Sequence, residues 1–256
     1  MKISAILLAK NEEKKIEKAV RSLLFCDEVL VIDDESTDNT AELAKKAGAH
    51  VLSHSKKNEF SGQRNWAMGQ AKNEWVLFVD ADEEVSDTLK NEIVALFASH
   101  QSPVTSRSPV TYAIPRRDYF WGQEMKYGET KSARTNGIIR LIQKGSGVWT
   151  GAVHETFISS ENVGKLSGYL NHYSHDSLSE FIQDINFYST IRASELHLQG
   201  KRGSASELIL LPFGKFIYTY FILGGVLDGA AGFAYSLVMS FHSFLVRAKL
   251  LTKKYD

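Results

Sequence analysis

The chain has 256 residues, 43% of them apolar and 23% charged, with thirty Lys and Arg set against thirty Asp and Glu. That size allows one large core, or a domain with a small appendage; the composition excludes wholesale disorder, and the charge balance argues against a nucleic-acid partner. The balance hides an asymmetry, because residues 201–256 carry seven basic against three acidic side chains, a net +4 that leaves −4 on the rest.

Taken in chain order, Ile3–Ala9, Glu28–Asp33, Val51 with its neighbours and 74–80 are short apolar runs, separated by helical spacing over 14–25, 38–48, 61–72 and 86–98. Alternation of this kind predicts an α/β architecture with a doubly wound, mostly parallel sheet. The first run is followed by Lys10, Asn11, Glu12 and Glu13 rather than small residues, so it reads as a strand and not a secretion signal. Cys26 is the only cysteine; it forms no internal disulfide, fits a reducing compartment and is expected as a small buried apolar residue. Gly48 sits where a helix C-terminal cap belongs, and Ser86 with Asp87 begins the fourth helix.

Residues 99–111 are rich in Ser, Thr and Pro and read as a linker. Strand-like runs follow at 112–116, Ile138–Gln143 and 153–158, without helices long enough for parallel crossovers, and these should complete the sheet. Ser177-Leu-Ser-Glu180 has the spacing of a capping box ahead of a helix of about five turns. Over 216–246 only Asp228 is charged, and Arg247, Lys249, Lys253 and Lys254 close the stretch. A charge at the centre of one continuous span is costly, so two amphipathic helices lying in a membrane leaflet and joined at Leu227-Asp-Gly229 fit better, with the basic end favouring anionic lipid. Removing this region is expected to release a soluble domain.

Two acidic clusters end predicted strands, where open α/β sheets bind ligands: Asp33, Asp34, Glu35 and Asp38, then Asp80, Asp82, Glu83 and Glu84. Converging carboxylates repel one another unless a cation intervenes, and a hard divalent ion, Mg²⁺ or Mn²⁺, would relieve them and bridge to phosphates. Asp38 alone could equally be a helix cap. A receiver-like phosphoacceptor module using Asp33, Asp34 and Asp80 is the competing reading; a complete strand and helix before Asp33, and the lack of convincing Thr or Ser and Lys partners after Asp80, count against it. His172 and His175 could suggest a zinc pair, but no further ligands gather beside them.

Val31-Ile-Asp-Asp-Glu-Ser-Thr-Asp-Asn-Thr40 and Asp80-Ala-Asp82 resemble the family 2 glycosyltransferases of GT-A fold. The likeness continues through Gln63-Arg64-Asn65, Ile114-Pro-Arg116, Arg140-Leu141, Val153-His154-Glu155, His172-Tyr-Ser174 and Leu227-Asp-Gly229, an order similar to the lipopolysaccharide-core glucosyltransferase branch. The resemblance implies an inverting, metal-dependent transferase taking a nucleotide-sugar donor, UDP-linked, to a lipopolysaccharide-core or other lipid-linked acceptor at the cytoplasmic face of a bacterial inner membrane. It implies Asp33 at the donor uracil or ribose, Asp80 at the ribose or metal, Asp82 at the metal, and Arg64 and Arg140 at donor phosphate. Glu155 is the candidate base, with His154 a metal ligand or an orienting partner. Relatives carry an acidic residue shortly before the position of Arg140, where this chain has Asn136 and Gly137. Residues 1–175 are then the GT-A domain, 176–211 a helical extension and 212–256 the membrane-associating region.

Overall fold

The computed structural model describes residues 2–55, 60–99, 109–151, 155–175 and 177–252. The chain opens with β1 (Ile3–Ala9), α1 (Ile16–Ser22), β2 (Glu28–Asp33), α2 (Thr40–Lys46), β3 (His50–Ser53), α3 (Phe60–Gln70) and β4 (Trp75–Asp80). A short strand, β5 (Glu83–Val85), follows, and then α4 (Asp87–Ser99), capped where Leu89 N donates to Ser86 Oγ at 3.3 Å. Gly48, at φ +107°, ends α2 in a conformation that penalises any Cβ.

Beyond the linker come β6 (Thr111–Ile114), β7 (Arg116–Phe120), β8 (Gln123–Met125), α5 (Lys131–Asn136), β9 (Ile138–Gln143), β10 (Gly147–Thr150), β11 (Thr156–Ser159), β12 (Val163–Lys165) and β13 (Leu170–His175). The run expected at 112–116 is two strands, because Pro115 between them has no N–H to give a ladder. Of the strand expected at 153–158, Val153 and His154 lie outside the described residues, and β11 begins at Thr156. The remaining helices are α6 (Leu178–Leu198), α7 (Glu207–Ile217) and α8 (Gly229–Thr252). Ser177 caps α6 as its spacing predicts, its hydroxyl accepting from Glu180 N at 3.1 Å.

The chain divides into two compact units, Met1–Arg116 with Thr135–His172, and Arg117–Arg134 with Tyr173–Asp256. The segment 117–134, contained in the expected 1–175 domain, therefore belongs with the C-terminal helices.

The first unit is built on a seven-stranded sheet in the order β12-β6-β9-β4-β1-β2-β3. Its β4-β1-β2-β3 half is parallel, as the strand and helix alternation predicts, and β9 enters antiparallel to both β4 and β6. One face buries Leu7, Val31, Leu77 and Val79 against α1, α2 and α4; the other buries Ile6, Ile32, Phe78 and Trp149. Strands covered on both faces read as continuous apolar runs, which is why β1, β2 and β4 are visible in the sequence.

The second unit contains the β7–β8 hairpin and helices α6, α7 and α8. Phe120, Met125, Phe181, Ile185, Ala231 and Val238 share one core, and Ala193, Leu196, Val246 and Leu250 another. One face of α8 is thus structural, whereas α7 buries none of its residues and leaves Ile209 73% and Phe213 65% exposed. Asp228 is buried; its carboxylate accepts from Lys126 N and Tyr127 N at 2.9–3.1 Å, which explains a lone charge in an apolar stretch. Lys249 is spent internally on Asn186, Ser189 and Thr190, and Arg247 lies 3.7 Å from Glu207, so the basic end holds less free charge than the sequence suggests.

Candidate active site at the carboxyl edge of the sheet

Asp33 and Asp80 close β2 and β4, the two strands flanking β1, and pair in register with Ala9 and Leu8 respectively. The topology therefore brings both predicted acidic clusters to one rim. Across it, the loops after β1 and β2 are stitched together: Asn11 N donates to Ser36 Oγ at 2.9 Å, Thr37 N to Asn11 Oδ1 at 2.8 Å and Glu12 N to Thr40 Oγ1 at 2.7 Å. Asn11 and Glu35 hold positive φ, +54° and +56°, a backbone strain that collects at functional rims.

Within the first cluster the carboxylates separate by role. Asp38 accepts from the Thr40 hydroxyl at 2.5 Å, from Thr40 N at 3.0 Å and from Glu13 N at 3.2 Å; burial would raise its carboxyl, but these bonds, that of the Thr40 hydroxyl first, hold it below the ordinary value just ahead of α2, whose N-cap residue is Asn39. Asp34 is buried and pairs with Lys10 at 3.2 Å. Asp33 is buried too, with Oδ2 accepting from Ser36 N at 3.2 Å and Oδ1 left without a partner among the described residues. A buried acceptor in that condition is costly unless a ligand donor meets it.

The second cluster is the centre of a charge ladder. Arg64 Nη2 lies 2.8 Å from Asp80 Oδ1, and Arg140 Nη2 lies 2.5 Å from Asp80 Oδ2. Arg64 Nε also donates to Glu155 Oε1 at 2.8 Å, while Arg140 Nη2 lies 3.3 Å from Glu83 Oε1, which is 3.8 Å from Arg116 Nη1. Three guanidiniums and three carboxylates thus alternate: Arg116, Glu83, Arg140, Asp80, Arg64, Glu155. Burial would push the Asp80 carboxyl up, but Arg140 and Arg64 hold it far below the usual carboxylate range. Glu83 moves the other way, raised by its complete burial. Arg140 is driven higher still by Asp80 and Glu83 despite burial.

Arg64 Nη1 and Arg140 Nε are buried with no acceptor among the described residues. The Arg64 guanidinium also faces the rings of Trp149 and Phe78, at 4.9 Å and 5.6 Å. Its position is fixed by α3, where Gln63 Nε2 donates to His54 O at 2.7 Å and Asn65 exchanges two hydrogen bonds with the Trp149 backbone. Each member of Gln63-Arg64-Asn65 therefore anchors a different segment.

Asp82 stands apart from the ladder, its Oδ2 3.2 Å from His172 Nε2. Burial would raise its carboxyl, and His172 outweighs burial and holds it low. His172, noted in the sequence within a shared motif and beside His175 as a possible zinc pair, reaches this place because β13 pairs antiparallel with β5, opposite Glu83. Among the described residues no three His, Cys, Asp or Glu side chains gather into a ready cation site. Asp82 and His172 offer one oxygen and one nitrogen, a donor set suited to a divalent ion whose other positions phosphate or water fills. His154 lies outside the described residues.

The structure thus joins Asp80, Arg64, Arg140 and Glu155 directly and sets Asp33 on the same rim. Gly137, in the loop ahead of Arg140, holds φ +77°, and a Cβ there would come within 2.9 Å of the Ile114 carbonyl carbon. Both Asp80 oxygens accept guanidiniums, an arrangement that the phosphoacceptor reading does not call for.

Residues 4–158 match the family model described as glycosyl transferase family 2. A protein of Rickettsia typhi described as a glycosyltransferase is 34% identical over 263 residues, covering 97% of this chain and 86% of that protein. The lipopolysaccharide core biosynthesis glycosyltransferase LpsC of Rhizobium meliloti is 31% identical over 256 residues, covering 97% of this chain and 91% of LpsC. Among solved structures, S. aureus TarS 1-349 in complex with UDP-GlcNAc gives a TM-score of 0.49 at 18% identity, covering 99% of this chain and 85% of that chain.

Proposed function

The chain belongs to glycosyl transferase family 2 and is a glycosyltransferase of GT-A fold, and from that premise we propose an inverting transfer of a sugar from a UDP-linked donor to a lipopolysaccharide-core or other lipid-linked acceptor. The observation that carries this reading is the pair of buried, unsatisfied donors, Arg64 Nη1 and Arg140 Nε, beside Asp80. Guanidinium N–H groups without acceptors suit a diphosphate, which supplies several oxygens at once. Asp33, with its own unsatisfied oxygen, would take a hydroxyl or N–H of the nucleoside.

Asp82 and His172 would hold Mg²⁺ or Mn²⁺, with His154 a further candidate, and the bound ion supplies charge that stabilises the departing diphosphate. The chain's own residues do the remainder. Arg64 and Arg140 bind the diphosphate and fix the donor. Glu155 takes the proton of the acceptor hydroxyl as its oxygen bonds to the anomeric carbon; the bond from that carbon to the diphosphate oxygen breaks, and its electron pair leaves with UDP.

The LpsC relative and the apolar C-terminal region support work at the cytoplasmic face of a bacterial inner membrane. Gly225–Thr252 is long and apolar enough to cross a bilayer by length and composition. We favour an in-plane attachment through α7 instead, because α7 leaves its apolar side chains uncovered while one face of α8 is committed to the core of its unit. The deciding experiment is a donor screen, UDP-glucose first, measuring binding and slow hydrolysis with and without Mn²⁺. Failure of every nucleotide sugar to bind would overturn the donor assignment.

A further inference from the structure

Glu83 is a fully buried carboxylate that the proposed transfer does not use, and it ties the acidic loop to a donor-binding arginine. Its Oε2 accepts from Asp80 N at 3.0 Å, closing the turn that carries Asp80 and Asp82. Its Oε1 lies 3.3 Å from Arg140 Nη2, the same nitrogen that reaches Asp80.

The two carboxylates sharing Arg140 differ in access. The Asp80 side chain is 30% exposed and can be reached by a ligand, whereas that of Glu83 is 0% exposed and cannot. A donor arriving at this rim can draw Asp80 away from its arginines. Arg140, buried and always charged, would then lose a counter-ion, a severe cost without a second one. Arg116 on the far side keeps Glu83 itself compensated.

We infer that Glu83 is a positioning residue: it is the permanent counter-ion that holds Arg140 in place while Asp80 exchanges its arginines for the donor. The inference rests on the proposed donor site and assigns it a fixed part and an exchangeable part. A carboxylate in this role acts only through Arg140, so its removal must be felt at the diphosphate and not at the nucleoside.

The test compares UDP and UMP binding by calorimetry in the full chain, with Mn²⁺, for wild type, Glu83→Gln, Glu83→Asp, Arg140→Met and the double variant Glu83→Gln/Arg140→Met. Glu83→Gln keeps an oxygen for Asp80 N but sets an uncharged amide against the guanidinium. It should weaken UDP by roughly 10-fold to 100-fold, the range seen when the outer partner of a binding group is removed, and leave UMP within about threefold. Glu83→Asp, which keeps the charge, should recover most of the loss, and the double variant should bind no worse than Arg140→Met alone. Equal losses for UDP and UMP, additive losses in the double variant, or an unchanged Glu83→Gln each overturn the inference while leaving the donor site standing. If Glu83→Gln does not fold, Glu83→Asp takes its place: the residual loss left by its shorter side chain should fall on UDP and not on UMP and should vanish in the Arg140→Met background, and no loss, a loss equal for both nucleotides or one that persists without Arg140 overturns the inference. Wild-type protein that binds no UDP removes the donor reading and this inference together.

Discussion

His172 Nε2 lies 3.2 Å from Asp82 Oδ2, across the antiparallel pairing of β5 with β13. If the two share a divalent ion, either change should act through the metal. Asp82→Asn is expected to abolish turnover with the fold intact, and His172→Gln to raise the Mn²⁺ concentration needed for half-maximal activity. Metal titrations of donor hydrolysis check both, and near-normal turnover of a folded Asp82→Asn protein at limiting metal would remove the ion from this pair.

Glu155 accepts from Arg64 Nε at 2.8 Å, which holds its carboxylate at the rim beside Asp80. Glu155→Gln should bind UDP and metal but lose roughly 10²-fold to 10⁴-fold in acceptor-dependent turnover, the range for a general base. Transfer that survives within a few-fold would pass the role to another carboxylate.

Burial pushes the Cys26 thiol up to about 12, with Asp27 adding to the effect. A folded-state value above the unfolded one contributes stability that is complete below about pH 8.5 and is lost as pH rises toward 12. Native protein at pH 8 should therefore react with iodoacetamide much more slowly than denatured protein. Equal rates would mean that the thiol is not shielded.

Asp228→Asn should destabilise the second unit by about 1–3 kcal/mol, because an amide presents one acceptor oxygen where the carboxylate presents two to Lys126 N and Tyr127 N. Urea denaturation measures the change. A variant as stable as wild type would show that Asp228 is kept for some purpose other than holding this turn.

Lipid attachment through α7 predicts that Ile209→Ser with Phe213→Ser weakens flotation on anionic vesicles without lowering thermal stability, since both side chains lie uncovered. Deleting 212–256 is a poorer test than the sequence suggests: it strips cover from Phe120, Phe181 and Ile185 and should yield insoluble protein. Full-length protein that remains at the bottom of the gradient would end the membrane reading.

The parallel half of the sheet was legible because β1, β2 and β4 are buried on both faces, and β2 and β4 end in carboxylates. Nothing local announced β5, three residues long and two of them Glu, or the pairing that carries His172 to Asp82. In the sequence Glu83 is one more acidic residue of the cluster after Asp80-Ala-Asp82, and only the fold buries it beneath two arginines. The C-terminal apolar stretch was ambiguous in principle, since side chains that face a core and side chains that face lipid have the same composition. The sequence likewise could not show that segment 117–134 joins the later helices, because the bonds from Asp228 span a hundred residues of chain.

Gln63, Arg64 and Asn65 are consecutive on α3 and tie it to His54, to the charge ladder and to Trp149. Successive helical residues point ~100° apart, so the three bonds together fix the rotation of the helix as well as its place. Substituting one of them removes one tie and leaves two to hold the orientation. Inserting or deleting a single residue just ahead of them turns the whole helix by that angle and breaks all three at once. Length changes in the chain between His54 and Gln63 should therefore be tolerated only where they are absorbed before α3 begins, which makes the start of this helix a point where homologous sequences can be aligned without gaps.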